Sequence, residues 1–134
     1  MTEILTQYLR ETFGQRYQPG THDCVLFVAG WADLLSGSNH AELLRGSYQT
    51  HFQGLKKHVG KSSSICDAVR RTLLAAGWKL VPGQDHFLTG DIILTDIDHP
   101  GIWRDKSIVA TAFGAAGHSY LHVRHATAAL RWSP

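Results

Sequence analysis

Cys24 is the residue whose placement most invites chemistry. It follows Asp23 and opens an apolar run, Cys24 to Leu35, that closes at Gly37. Asp23 reads as the N-cap of a buried helix. Cys24 then sits in the first turn, where the positive end of the helix dipole favours a thiolate, although the neighbouring carboxylate works against it. The competing reading is a core residue, because free cysteine is among the most buried residue types. Cys66 lies on the apolar side of an amphipathic segment and reads as a small core side chain.

A nucleophilic thiol needs a base and a group that orients the base. With nine histidines, composition does not choose the base. Context points to His99, which opens Pro100-Gly101-Ile102-Trp103 after the apolar run Asp91 to Leu94. A histidine at a strand start lies at a sheet edge with its ring free to meet a helix terminus. Read alone, it could equally be a solvated turn residue beside Asp98. His22 precedes the cap and is expected to point away from the first helical turn. A strand starting at Ser107 would place Ser107, Val109 and Thr111 on one face. Pairing with Gly101 to Trp103 would bring Thr111 beside His99, where its hydroxyl could accept a ring N–H. A hydroxyl carries no charge, so it would support imidazolium less than a carboxylate does, and slow chemistry is expected.

His118, His122 and His125 form the densest histidine cluster. On a helix they would share a face and could hold a metal. Their surroundings read as strand, which gives an exposed polar face instead, and no HExxH pattern is present. Neither a phosphate-binding glycine loop nor a G-x-S-x-G elbow occurs. No cofactor and no metal are expected.

The chain of 134 residues suits one domain, and residues 1–134 are expected to form it. Charged residues are 18%, below the roughly 25% of an average globular protein, which argues against long disorder and coiled coil. A net charge of +2 gives no reason to expect nucleic acid as a partner. The longest apolar run, Val25 to Ala32, is far short of the ~20 residues a membrane span requires. No secretory signal pattern is visible at Met1-Thr2-Glu3-Ile4.

These candidates must be held by helices first and strands afterwards. Thr2 could cap a helix with a stripe at Ile4, Leu5, Tyr8, Leu9 and Phe13. The Cys24 helix, a short helix over Ala41 to Leu44, and a helix capped by Ser62 or Ser63 follow. From Trp78 the pattern changes to strand-length runs: Trp78 to Val81, Asp91 to Leu94, Gly101 to Trp103, Ser107 to Ala112, Ser119 to Val123 and Ala128 to Trp132. Gly90-Asp91 should open its strand, with Asp91 satisfying backbone amides. The expected fold class is α+β, with N-terminal helices packed on a mostly antiparallel C-terminal sheet.

Asp23-Cys24 at a helix start, Gly90-Asp91-Ile92-Ile93-Leu94, and His99-Pro100-Gly101-Ile102-Trp103 occur in that order. Over residues 17–113 the chain resembles the NlpC-type papain-like cysteine peptidases that cut bacterial cell-wall peptides. Its closing part, with Gly114, Gly117 and Ala-Ala-Leu-Arg-Trp, is similar to a compact subgroup found among bacteriophage tail genes. The resemblance implies a papain-like fold, Cys24 as nucleophile, His99 as base, Thr111 at the third position, and a peptidoglycan peptide as substrate. It also implies a tail-associated protein, made in the bacterial cytoplasm without a signal peptide and carried in the virion with other tail proteins. Val25-Leu26 stand where the family has Ser-Gly, Pro100 replaces a residue that donates a strand amide, which suggests an edge or bulge, and Thr111 replaces a histidine. The same fold could therefore serve as a structural or assembly part of the tail without catalysis.

Overall fold

Apolar spacing shifts from a helical to a strand period near Trp78, and the elements follow that shift. A computed structural model describes residues 1–50, 53, 54, 56, 57, 64–83, 86–111 and 116–133. Helices come first: α1 (Thr2–Phe13), α2 (Cys24–Ser36), α3 (His40–Leu44) and α4 (Ile65–Ala75), with residues 53, 54, 56 and 57 also helical between α3 and α4. Six strands follow: β1 (Lys79–Pro82), β2 (Ile92–Thr95), β3 (Gly101–Arg104), β4 (Ser107–Thr111), β5 (His118–Leu121) and β6 (Ala126–Arg131). They form one sheet in the order β1-β6-β2-β3-β4-β5, with every neighbouring pair antiparallel. The α+β class with helices before an antiparallel sheet is as expected.

One face of the sheet carries Ile92, Leu94, Ile102, Val109 and Leu130. Against it pack Leu5 and Leu9 of α1, Phe27, Val28, Trp31 and Ala32 of α2, and Val69 and Leu73 of α4. The opposite face buries a smaller cluster of Ile93, Ile108, Ala126 and Ala129. β2 is therefore buried along its whole length and reads as a continuous apolar run where one-sided strands alternate. α2 is apolar nearly all round because α1, α3 and the sheet enclose it. Its far end closes at Gly37 in the left-handed region, as the glycine stop implies.

Several local expectations are corrected. Met1, not Thr2, stands at the α1 cap position, because the first turn already begins at residue 2. Ile4 and Phe13 leave the expected stripe and are exposed, so Leu5 and Leu9 carry the packing. Ser64 caps α4 by accepting from Asp67 N at 3.0 Å; Ser62 and Ser63 lie outside the described residues. β3 is not an edge strand. It lies between β2 and β4, and Pro100 is tolerated because it precedes the ladder. The β3–β4 hairpin turns through Asp105 and Lys106, both at positive φ, with no glycine.

Candidate functional site

Asp23 builds the start of α2. Its backbone is extended, and its Oδ1 accepts from Leu26 N at 2.9 Å. Its Oδ2 accepts from Gly20 N at 3.0 Å and from the Tyr48 hydroxyl. Gly20, at φ 82°, lies so close under the Tyr48 carbonyl that no Cβ fits there. The preceding loop and the segment after α3 are thus clamped around one carboxylate, and the helix must begin at Cys24.

That placement does not yield a resting thiolate. Burial, then the Asp23 carboxylate, then Cys66, push the Cys24 thiol up to about 12, against the pull of the Val25 N–H. Desolvation outweighs the helix dipole here. The Asp98 carboxylate adds to the rise, which places the turn before β3 within electrostatic reach of Cys24.

Asp98 is fastened to a second helix start. At φ 57° it accepts from Ile65 N at 3.1 Å and Cys66 N at 2.8 Å, so it caps α4 from the β2–β3 turn. The Cys66 thiol lies against the Thr95 N–H, the Thr95 hydroxyl and the Asp98 carboxylate, and burial pushes it up to about 11. Thr95 Oγ1 in turn accepts from His99 N at 3.1 Å and donates to His99 O at 2.9 Å. Cys66 is a core residue, as its helical position indicates. It is also a neighbour of the site, which its sequence context does not signal, because the contact depends on a turn some thirty residues away.

His99 is held by its backbone, and its ring is left unused. Nε2 is buried without a partner, and among the described residues neither ring nitrogen is hydrogen-bonded. Burial lowers its pKa, while Asp98 pulls it back up. No hydrogen bond joins His99 to Cys24. β4 pairs with β3 through Ile102↔Val109 and Trp103↔Ile108. Continuing this register sets Thr111 across from Pro100, one residue from His99. Thr111 is 1% exposed, yet among the described residues its Oγ1 is also without a partner. The strand pairing expected for Thr111 is present, but its hydroxyl makes no bond to the His99 ring.

Two further histidines differ from expectation. His118 pairs with Thr111 across β4 and β5. It is not part of an exposed polar face: Nε2 lies 3.0 Å from Thr12 Oγ1, and its ring stands 5.5 Å from that of Phe13 and 5.6 Å from that of Phe27. His22 is 5% exposed and lies along the first turn of α2, its ring 6.3 Å from Phe27 and its Nε2 without a partner. His122 caps the short turn Val123–His125, and His125 pairs with Asp96 at 2.8 Å. The histidine cluster is thus divided among separate duties. Among the described residues no group of three or more potential ligands gathers around a metal position.

Burial lowers the pKa of His22, His99 and His118 from the ordinary value of 6.5. The unfolded chain therefore takes up protons at a higher pH than the folded one. Their contribution is fully present above 6.5 and is lost as the pH falls from there toward the folded values, at up to about 1.4 kcal/mol per pH unit for each group. Thermal unfolding followed over mildly acidic pH should show this decline, and His22→Leu should flatten it. A midpoint independent of pH in that window would contradict buried, neutral histidines.

A scan against protein-family models matches residues 1–132 to a family described as Domain of unknown function (DUF6950). Neither the curated proteins nor the solved structures searched give a match. Among the described residues no helix is long and apolar enough to cross a membrane.

Proposed function

The chain belongs to the DUF6950 family, and on that footing we propose that it is a papain-like cysteine hydrolase of the peptidase or amidase type, with Cys24 as nucleophile and His99 as base. The observation that carries this reading is a pair of buried polar atoms, His99 Nε2 and Thr111 Oγ1, that have no partner among the described residues, next to a turn whose Asp98 acts electrostatically on Cys24. Each such atom costs about 1–3 kcal/mol when left unpaired. A role in chemistry is one of the few reasons to retain it.

In this mechanism substrate brings Cys24 and His99 together. Sγ attacks the amide carbonyl carbon, and the thiol proton passes to His99 Nε2. The tetrahedral intermediate collapses, the C–N bond breaks, and the amine leaves with that proton. Water, deprotonated by His99, then cleaves the thioester and regenerates the thiol. The Val25 N–H at the helix start is the donor for the oxyanion, an interaction typically worth roughly 3–4 kcal/mol. A thiol held at about 12 makes the thiolate–imidazolium pair costly, so turnover is slow. By the likeness to NlpC-type enzymes, the substrate proposed is a peptidoglycan peptide and the setting a phage tail.

The second reading keeps the fold and drops the chemistry, as a structural or assembly protein of a tail. It is favoured by the protonated Cys24 thiol and the missing bond to His99. Mass-mapped iodoacetamide labelling from weakly acidic to weakly alkaline pH separates the two. An enzyme should label at Cys24 before Cys66 and lose that preference in His99→Ala. Release of amines from peptidoglycan peptides should fall by about 100-fold or more in His99→Ala and vanish in Cys24→Ser. Equal labelling of both cysteines, with no release by the unaltered protein, would favour the structural role.

A further inference from the structure

A cavity of about 260 Å³ lies between α2, α3 and α4, away from the His99 turn. Its floor is Val25 and Val28 of α2 with Ala68 and Val69 of α4, all buried. Leu43 of α3, 70% exposed, stands at its rim. The volume corresponds to roughly eight or nine waters at their share in the liquid. An apolar space of that kind offers water few partners and takes apolar guests instead.

Among the described lining residues the polar side chains are His40, Lys57 and Thr72. Among the described residues Lys57 is the one formally charged side chain in the lining, and it makes no ion pair with any of them. His40 also lines the cavity, with Nδ1 3.2 Å from Asp33 Oδ1. That Asp33 carboxylate is occupied by the backbone N–H groups of His40 and Ala41 and by the Ser38 hydroxyl. Glu42 is paired with Arg45. An aliphatic guest with a negative head therefore meets an unopposed ammonium, whereas a cationic head would be repelled.

We infer that this cavity binds a single-chain aliphatic carboxylate of medium length, with the chain on the α2–α4 floor and the carboxylate at Lys57. Among the described residues the lining includes neither Cys24 nor His99, and it uses the Val25 side chain where the proposed hydrolysis uses the Val25 N–H, so binding is tested apart from hydrolysis. Titration calorimetry at mildly alkaline pH tests it, using decanoate below its micelle concentration, with decanol and decyltrimethylammonium as comparators. One decanoate should bind saturably per chain, more tightly than the cation, and equally well in Cys24→Ser. Ala68→Leu fills the floor and should weaken decanoate about tenfold or more while keeping or raising the melting temperature. Lys57→Gln should weaken decanoate by about two- to fivefold and leave decanol unchanged. Leu43→Glu, on an exposed rim, should weaken the carboxylate should the Ala68 variant fail to fold. No saturable binding, tighter binding of the cation, or wild-type affinity in both Ala68→Leu and Leu43→Glu would overturn the site. So would adsorption to anionic phospholipid vesicles that decanoate does not compete with.

Discussion

Replacing Asp91 by alanine is expected to lower stability by about 3–4 kcal/mol, near the lower end of the range for stripping one partner from a buried ion pair. Asp91 is 3% exposed, and both its oxygens are engaged by Arg131, Nε to Oδ1 at 2.9 Å and Nη2 to Oδ2 at 2.7 Å. Its Oδ2 also accepts from Leu88 N at 2.9 Å. Backbone amides alone, the role expected from the sequence, would be worth roughly 1–2 kcal/mol. The two-pronged guanidinium contact raises that, because β6 carries Arg131 directly beside the start of β2. Arg131 is partly exposed, so water softens the loss on its side. Urea unfolding of Asp91→Ala, Arg131→Ala and the double variant measures both the total and the coupling. A single-variant loss below about 1 kcal/mol would place the pair among ordinary surface ion pairs. A fall in the proposed hydrolysis without a fall in stability would make Asp91 a site residue.

Gly101→Ala is expected to cost about 3 kcal/mol, at the upper end for overpacking. An added Cβ would stand 2.6 Å from Ile108 Cγ2 and 2.8 Å from the Val109 carbonyl oxygen. The Ile108 methyl can turn aside. The carbonyl belongs to the β3–β4 ladder and can yield only by parting the strands at Ile102↔Val109. The same shift would move Pro100 and His99, so labelling of Cys24 should change together with stability. Thermal unfolding checks the first effect and alkylation the second. A loss under about 1 kcal/mol would mean that the hairpin slides to accept the methyl group.

What the sequence made legible is what local chemistry determines. Asp23 before an apolar run specifies a capped helix, Gly37 its end, and the strand-length runs after Trp78 their strands. The cap at Ser64 was misassigned to its neighbours because three serines in a row offer the same side chain. Long-range closure was not legible. Nothing near Asp98 says that it caps a helix beginning at Ile65, and nothing near Tyr48 says that its hydroxyl meets Asp23. His118 looked polar because its strand neighbours are polar, yet Phe13 and Phe27 from two helices enclose it. The sequence sets the helix dipole against the Asp23 carboxylate, but the burial that raises the Cys24 thiol most depends on what the rest of the chain packs around it.

The trans cap on α4 also bears on the order in which the chain assembles. Ser64 can close its half of the cap as soon as the helix forms, within one turn of sequence. Asp98 must cross a gap of 33 residues to reach Ile65 N, so its half closes only once β2 and β3 have met. Contacts that close late have low φ-values, and a φ-value near zero for Asp98→Ala is the expected result. Such a contact does little to speed folding and much to slow unfolding. The tie between Asp98 and α4 therefore acts as a latch on the native state. It sets how long the His99 turn and the two cysteine-bearing helix starts stay together once they have been brought into place.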